Sequence, residues 1–313
     1  MKLNKPKFWD TKISFISIFF FPLSLLILLF IFLKKKFTTT IKFNVPIICV
    51  GNIYVGGTGK TPISIYLANE LLKLGKNPVI LRKYYNSHYD EYEMIKKNFK
   101  NLILNQNRVD GIREAEEKGY ESIILDDGLQ DYKIKKDLSI VCFNNNQLIG
   151  NGLVLPAGPL RENLNSLKNV NIIIINGIKN IEFEEKCLNI NKNLKFFYSN
   201  YKPINLDKYA NKKLIAVAGI GNPENFFEIL KKYNLKIDKE IIFPDHYKFK
   251  KTEIQNLVDE SCEKDCQIIM TEKDYYKIKH FNIDKINYLK VSLEIKEKTK
   301  LINTITKLYD KKN

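Results

Sequence analysis

Val50-Gly51-Asn52-Ile53-Tyr54-Val55-Gly56-Gly57-Thr58-Gly59-Lys60-Thr61-Pro62 is the stretch whose reading decides the fold. Ahead of it, Val45 to Val50 is a short apolar run suited to a buried strand. Behind it, Ile63, Leu67, Leu71 and Leu74 recur at helical spacing. The glycines therefore sit where a strand turns into a helix, the setting a nucleotide phosphate loop requires. In such a loop the backbone N–H groups and the helix N-terminus face the phosphates, a lysine reaches the β and γ oxygens, and a hydroxyl ligates Mg2+. On this reading Gly56, Gly57, Thr58, Gly59, Lys60 and Thr61 hold the nucleotide phosphates, with Thr61 also on the metal. The strict G-x-x-x-x-G-K-[ST] pattern is not met, because Tyr54 stands at its first glycine. The run has the deviant form of the loop, without that form's extra lysine, whose place Val55 takes.

Downstream the pattern alternates strand and helix. Pro78 to Leu81 reads as a second strand, followed by Arg82-Lys83-Tyr84-Tyr85, and Tyr89-Asp90-Glu91-Tyr92-Glu93 enters a short helix. Leu102 to Leu104 is a strand and Arg108 to Lys118 a helix. Ser122 to Leu125 is an apolar strand whose carboxyl end carries Asp126-Asp127-Gly128, 65 residues after Thr61. Acids so placed in a phosphate-loop protein hold Mg2+ directly or through its water. Leu138 to Phe143 and Ile172 to Asn176 are further strands. The Pro- and Gly-dense run Leu155-Pro156-Ala157-Gly158-Pro159-Leu160-Arg161-Glu162 between them marks an ordered loop. The planar fork of Arg161 suits either phosphate oxygens or a surface ion pair. Leu194 to Leu206, with Pro203, reads as an extended linker.

A second α/β unit follows. Leu214 to Ala218 is a strand leading into Gly219-Ile220-Gly221-Asn222-Pro223, which lacks the third glycine of a dinucleotide fingerprint. Ile241 to Phe243 ends in Pro244-Asp245-His246, and Ile268 to Met270 in Thr271-Glu272-Lys273-Asp274. Both place polar residues at strand carboxyl ends, where open α/β sheets bind ligands.

The composition is lysine-rich, with 51 basic against 35 acidic residues and a net charge of +16. Arg82, Arg108, Arg113 and Arg161 are the only arginines, so each is worth inspecting. The charge suits anionic lipid or a phosphorylated substrate, and no nucleic-acid recognition motif accompanies it. Five cysteines without a paired pattern point to a reducing compartment. Ile13 to Leu33 is a 21-residue uncharged run, long enough to cross a bilayer, with Pro22 at its middle and lysines at both ends. Lysines on both sides leave its orientation undecided. The run reads as a membrane anchor that either spans or enters one leaflet, the alternative being a buried helix of the soluble domain. ATP availability places the remainder in the cytosol.

Taken together, GNIYVGGTGKTP, ILDDGLQD, GNGLVLPAGPLRE, AGIGNPENFF, FPDH and TEKD, in this order, resemble the tetraacyldisaccharide 4′-kinase family of the Gram-negative lipid A pathway. The resemblance implies an α/β fold: a phosphate-loop kinase-like three-layer α/β/α domain, a smaller α/β domain, a cleft between them and an N-terminal membrane helix. Expected bounds are 1–36 for the anchor, 37–205 for the nucleotide domain and 206–313 for the C-terminal domain. The implied reaction moves the γ-phosphoryl group of ATP to the 4′-hydroxyl of an acylated disaccharide 1-phosphate at the inner membrane. Lys60 and Thr61 would bind phosphate and Mg2+, and Asp126 and Asp127 would be the acids at the metal. Asp90 would be the base and Glu91 a group near the metal. Arg161 would contact phosphate, and His246 would partner Asp90 from the other half of the chain, across the cleft. Where the family has Ser-Arg-Gly-Tyr-Gly, this chain has Leu81-Arg82-Lys83-Tyr84-Tyr85, and Asp131 stands at the family's histidine after Asp-Asp-Gly-Leu-Gln. A membrane-attached ATPase switch of the deviant phosphate-loop type is the alternative function. Acyl-chain preference and oligomeric state leave no mark in the sequence.

Overall fold

A computed structural model describes residues 6–12, 14–86, 88–245 and 247–310 of the chain. In chain order the elements are α1 (Phe15–Phe37), β1 (Ile47–Gly51), α2 (Lys60–Lys73), β2 (Pro78–Lys83), α3 (Tyr89–Asn98) and β3 (Leu102–Asn105). Then come α4 (Arg108–Glu117), β4 (Ser122–Asp126), β5 (Leu138–Asn144), β6 (Ile172–Asn176), α5 (Ile181–Leu188), β7 (Lys195–Pro203) and β8 (Lys213–Ala218). The chain closes with α6 (Pro223–Lys232), β9 (Lys236–Ile242), α7 (Lys251–Glu263), β10 (Cys266–Thr271), α8 (Glu272–Ile278), β11 (Ile286–Leu289), β12 (Val291–Ile295) and α9 (Lys298–Asp310). It forms two compact units. The first runs to Tyr84, resumes over Phe99–Asn200 and takes the chain again from Ile295; the second combines Tyr85–Asn98 with Tyr201–Glu294.

An eight-stranded sheet, ordered β12-β7-β6-β5-β1-β4-β2-β3, organises the first unit. Its central strands pair in parallel, and β1 registers Val50 against Asp126 of β4. Parallel strands covered on both faces read as unbroken apolar runs. Every residue of β1, β4, β5 and β6 is buried accordingly. The neighbouring placement of β1 and β4 brings the phosphate-loop end of one strand beside the acidic end of the other. This is why residues 65 positions apart can share a site.

One face of α1 lies along the same unit. Only Ser17 and Ser24, two turns apart, are buried in it. Ser24 Oγ donates to the Val154 carbonyl at 2.8 Å and accepts the Ala157 N–H at 3.1 Å. Asn151 donates to Ser17 Oγ at 3.2 Å, Ile27 and Leu28 pack on the core, and Lys35 pairs with the buried Glu162. The other face presents Phe15, Phe19, Leu26 and Phe30 outward, with Phe15 92% exposed. The helix is therefore not a buried core element, and it runs through Pro22 as a single segment.

The second unit is built on a four-stranded parallel sheet, β11-β10-β8-β9. Along β8 the period-two alternation sends Leu214, Ala216 and Ala218 to one apolar layer and Ile215 and Val217 to the other. Its edge strand β9 is largely exposed and carries Lys236 and Lys239, charges that oppose pairing with other chains.

Three sequence expectations change. The stretch from Leu194 to Leu206 is not a linker: β7 occupies most of it and pairs in parallel with β6, while Pro203 is its last residue, where no ladder donor is needed. Helix α3, with Asp90 and Glu91, belongs to the second unit rather than to the nucleotide domain, because its apolar side packs on α8. The chain beyond Ile295 returns to the first unit, where α9 buries Leu301 and Ile305, and Lys298 pairs with Glu70 of α2 at 2.7 Å. Replacing Leu301 by alanine should consequently destabilise the first unit by about 2–4 kcal/mol. Thermal melts with and without ATP would register this, and an unchanged melt would show that α9 adds nothing to that core.

Candidate active site

Asn52, fully buried after β1, pins the phosphate loop from behind. Its Nδ2 donates to Thr58 Oγ1 at 3.0 Å and to the Gly56 carbonyl at 3.2 Å. Gly56 (φ 124°) and Gly59 (φ 87°) take left-handed conformations that side chains resist. Gly59 is the N-cap of α2, so Lys60 and Thr61 begin the helix and its unpaired N–H groups face the loop. Tyr54 now has a physical account. Its ring is buried in the core, while its backbone bridges to Leu160. Val55 N–H donates to the Pro159 carbonyl at 2.9 Å, and Arg161 N–H to the Ile53 carbonyl at 2.7 Å. The loop's first arm is thus laddered to the 154–161 segment, a role for which an extended tyrosine serves better than a glycine. The same ladder delivers Arg161 to the site.

Two adjacent carboxylates organise the cations. Asp126 is wholly buried at the end of β4 and accepts Thr61 Oγ1 at 3.0 Å, Ser64 Oγ at 3.1 Å and Arg82 Nη1. Arg82 Nη1 also donates to Thr61 Oγ1 at 3.1 Å. Asp127 has φ 57° and points its carboxylate the other way, to Arg161 Nη1 at 3.0 Å and Lys60 Nζ at 3.7 Å. Arg108 donates to the Asp127 carbonyl at 2.7 Å and pairs with Asp131 at 3.6 Å. Burial alone would raise the Asp127 pKa, but Lys60, Arg161, Arg82 and Arg108 outweigh it and bring it to about 2. Burial lowers the pKa of Lys60, with Asp127 opposing.

The first unit therefore brings together the predicted Gly56, Gly57, Thr58, Gly59, Lys60, Thr61, Asp126, Asp127 and Arg161. Asp90 and Glu91 open α3 in the second unit, Asp90 only 4% exposed and Glu91 3.5 Å from His88 Nδ1. The expected metal set of Thr61, Glu91, Asp126 and Asp127 is thus divided between units, and no cluster of three His, Cys, Asp or Glu poised for a metal occurs among the described residues. His246 lies outside the described residues. Sequence reasoning gave no role to Ser64, Asn52, Arg82 or Arg108. The scarcity of arginine was the available signal, since three of the four converge here.

The family model Tetraacyldisaccharide-1-P 4'-kinase matches residues 16–310. The chain is 40% identical to the tetraacyldisaccharide 4'-kinase of Pelagibacter ubique, over 99% of this chain and 100% of that one. It is 36% identical to the protein of that name from Francisella philomiragia, over 81% and 87% of the two chains. A crystal structure described as apo-form LpxK from Aquifex aeolicus in complex with ATP superposes with a TM-score of 0.70 at 25% identity, covering 93% of this chain and 98% of that one.

A depressed carboxylate pKa stabilises the fold fully above the unfolded value of 3.8, and that contribution is lost as pH falls through about 2. At pH 7 the whole contribution is present, so Asp127→Asn should cost about 1–2 kcal/mol by leaving Lys60 and Arg161 without their carboxylate. Pyrophosphate should restore the melting temperature more in the variant than in the wild type. An unchanged melt would refute the charge-balancing role.

Proposed function

As a member of the tetraacyldisaccharide 4′-kinase family, the chain is an ATP-dependent kinase that phosphorylates the 4′-hydroxyl of a tetraacyldisaccharide 1-phosphate in lipid A biosynthesis, and we propose residue roles for that reaction. The observation that carries them is the bond between the Thr61 hydroxyl and the Asp126 carboxylate, one from the phosphate loop and one from the neighbouring strand end. The loop N–H groups and Lys60 bind the ATP phosphates, and Arg161 contacts the transferred group. Thr61 and Asp126 offer converging oxygen ligands, the donor type Mg2+ prefers, with Asp127 alongside. Their oxygens meet a cation here already, the Arg82 guanidinium, so the site suits positive charge. The metal, when bound, neutralises charge developing on the phosphates. Asp90 takes the proton as the 4′-oxygen bonds to the γ-phosphorus and the bridging oxygen departs with ADP. His246 supports Asp90, and Glu91 acts near the metal. Asp90 of α3 and Asp245, of the segment after β9, belong to the same unit.

The α1 helix seats the enzyme on the cytosolic face of the inner membrane. Contacts from Ser17 to Lys35 tie the helix to its own unit over about 27 Å. A helix held along that length enters one leaflet sideways, with Phe15, Phe19, Leu26 and Phe30 among the acyl chains and Lys34 and Lys36 at the headgroups.

Incubation with labelled ATP and detergent-dispersed disaccharide 1-phosphate should yield a bis-phosphorylated lipid. Lys60→Met and Thr61→Ala should each reduce turnover by about 10²-fold or more while the protein stays folded; near-wild-type rates in saturating ATP and Mg2+ would remove the phosphate-loop assignment. Phe19→Ser combined with Phe30→Ser should weaken flotation with anionic vesicles and slow turnover on vesicle-embedded lipid, leaving the melting temperature unchanged. Undiminished flotation would sink the leaflet placement.

A further inference from the structure

Lys273, on the first turn of α8, is surrounded by carboxylates of the second unit. Its Nζ lies 3.1 Å from Glu91 Oε1, 3.3 Å from Asp245 Oδ1 and 4.0 Å from Asp90 Oδ2. The lysine side chain is only 16% exposed and the Asp90 side chain 4%. These acids come from separate places: Asp90 and Glu91 from α3, Asp245 from the segment after β9. One ammonium thus joins two segments more than 150 residues apart in sequence.

The position of Lys273 is itself fixed. Thr271 caps α8 by accepting the Asp274 N–H at 3.2 Å. Fully buried Asp274 accepts the Gly219 N–H at 2.7 Å and Lys277 Nζ at 2.6 Å, and Lys277 also donates to the Gly219 carbonyl at 2.8 Å. Lys277 is therefore committed to Asp274, and Lys97, further along α3, is directed at Tyr276 and Tyr288. Glu272 faces Lys97 and Lys290. Lys273 Nζ thus gathers Asp90, Asp245 and Glu91, the last also 3.5 Å from His88 Nδ1. Among the described residues Lys273 is the only cation within 4.0 Å of Asp90. Asp90 Oδ2 is buried and has no hydrogen-bond partner among the described residues. A buried carboxylate oxygen left to an ammonium at 4.0 Å has its place set by charge rather than by hydrogen bonds.

We propose that Lys273 is a positioning residue for the phosphoryl transfer: it holds Asp90 in place as the base and supplies the counter-charge that lets Asp90, Glu91 and Asp245 sit together. The proposal rests on the reading of Asp90 as the base. Without the ammonium, three like charges crowd one another and Asp90 turns away from its place. Arginine, which keeps the charge, should serve in part, and methionine, which keeps the stem's length and packing, should not.

The test compares Lys273→Met, Lys273→Arg, Asp90→Asn and the Lys273→Met/Asp90→Asn double variant in the full-length protein. Kinetics are measured across pH with labelled ATP and the dispersed lipid, alongside melting temperatures. Lys273→Met should lower kcat by about 10²-fold, the scale of a misplaced catalytic group, with KM for ATP unchanged. Lys273→Arg should recover most of the rate. In the Asp90→Asn background, Lys273→Met should cost no further rate, because the two act as one unit. Losses that multiply in the double variant would overturn the proposal, since Lys273 would then act on phosphate or on the fold. A lowered melting temperature with kcat per folded molecule unchanged would overturn it too. Should Asp90→Asn turn over like the wild type, the base reading falls and takes this proposal with it. A dead Asp90→Asn beside a wild-type Lys273→Met removes the positioning role alone.

Discussion

Four cations, Lys60, Arg82, Arg108 and Arg161, converge on the carboxyl end of β4, and the nucleotide unit is arranged around keeping them there. Their mutual repulsion is opposed by two acids in succession that face opposite ways. Asp126 engages Arg82, Thr61 and Ser64, while Asp127 engages Lys60 and Arg161. Asp127 itself sits at a left-handed φ of 57°, where β4 has ended. Charge density of this kind is costly in an apoprotein and useful only when polyanionic phosphates arrive. The site is thus built for its ligand at the expense of its own ease, a familiar trade at functional centres.

The sheet and the loop answer each other. Parallel strands bury both faces, so β1, β4, β5 and β6 have no freedom in register, and the carboxyl ends of β1 and β4 stay aligned. On the far side of the loop, Tyr54 and Val55 ladder to Pro159 and Leu160, whose segment rests on the two buried serines of α1. The α1 helix and the glycine-rich loop are therefore two contacts of one short segment.

Local signals made much of this legible. The strand–glycine–helix transition at Gly51 to Thr61 and the apolar strand ending in Asp126-Asp127 are patterns within a dozen residues each, and both stand in the structure where periodicity put them. What escaped was allocation. Nothing in Tyr89 to Asn98 marks α3 as packing on α8 rather than on its sequence neighbours, because amphipathicity reveals that a face is buried but not against what. Pro203 disguised β7 as a linker, although a terminal proline is compatible with a strand. Arg82 lies within β2 and its partner Asp126 is 44 residues away, so no local periodicity announced the pair.

The return of α9 has a consequence for how the protein is made. The first unit is interrupted twice by segments of the second, and its α9 piece is synthesised after both. Completion from the N-terminus onward is not open to it, as β7 must wait about 90 residues for its edge partner β12. The interrupting unit has all its strands once Leu289 has emerged, so it can close first. During that interval α1 has long been exposed, with its outward apolar face uncovered. A chain stopped between β11 and β12 would hold all the strands of the second unit and an unclosed first unit, a substrate for quality control rather than a partly active kinase.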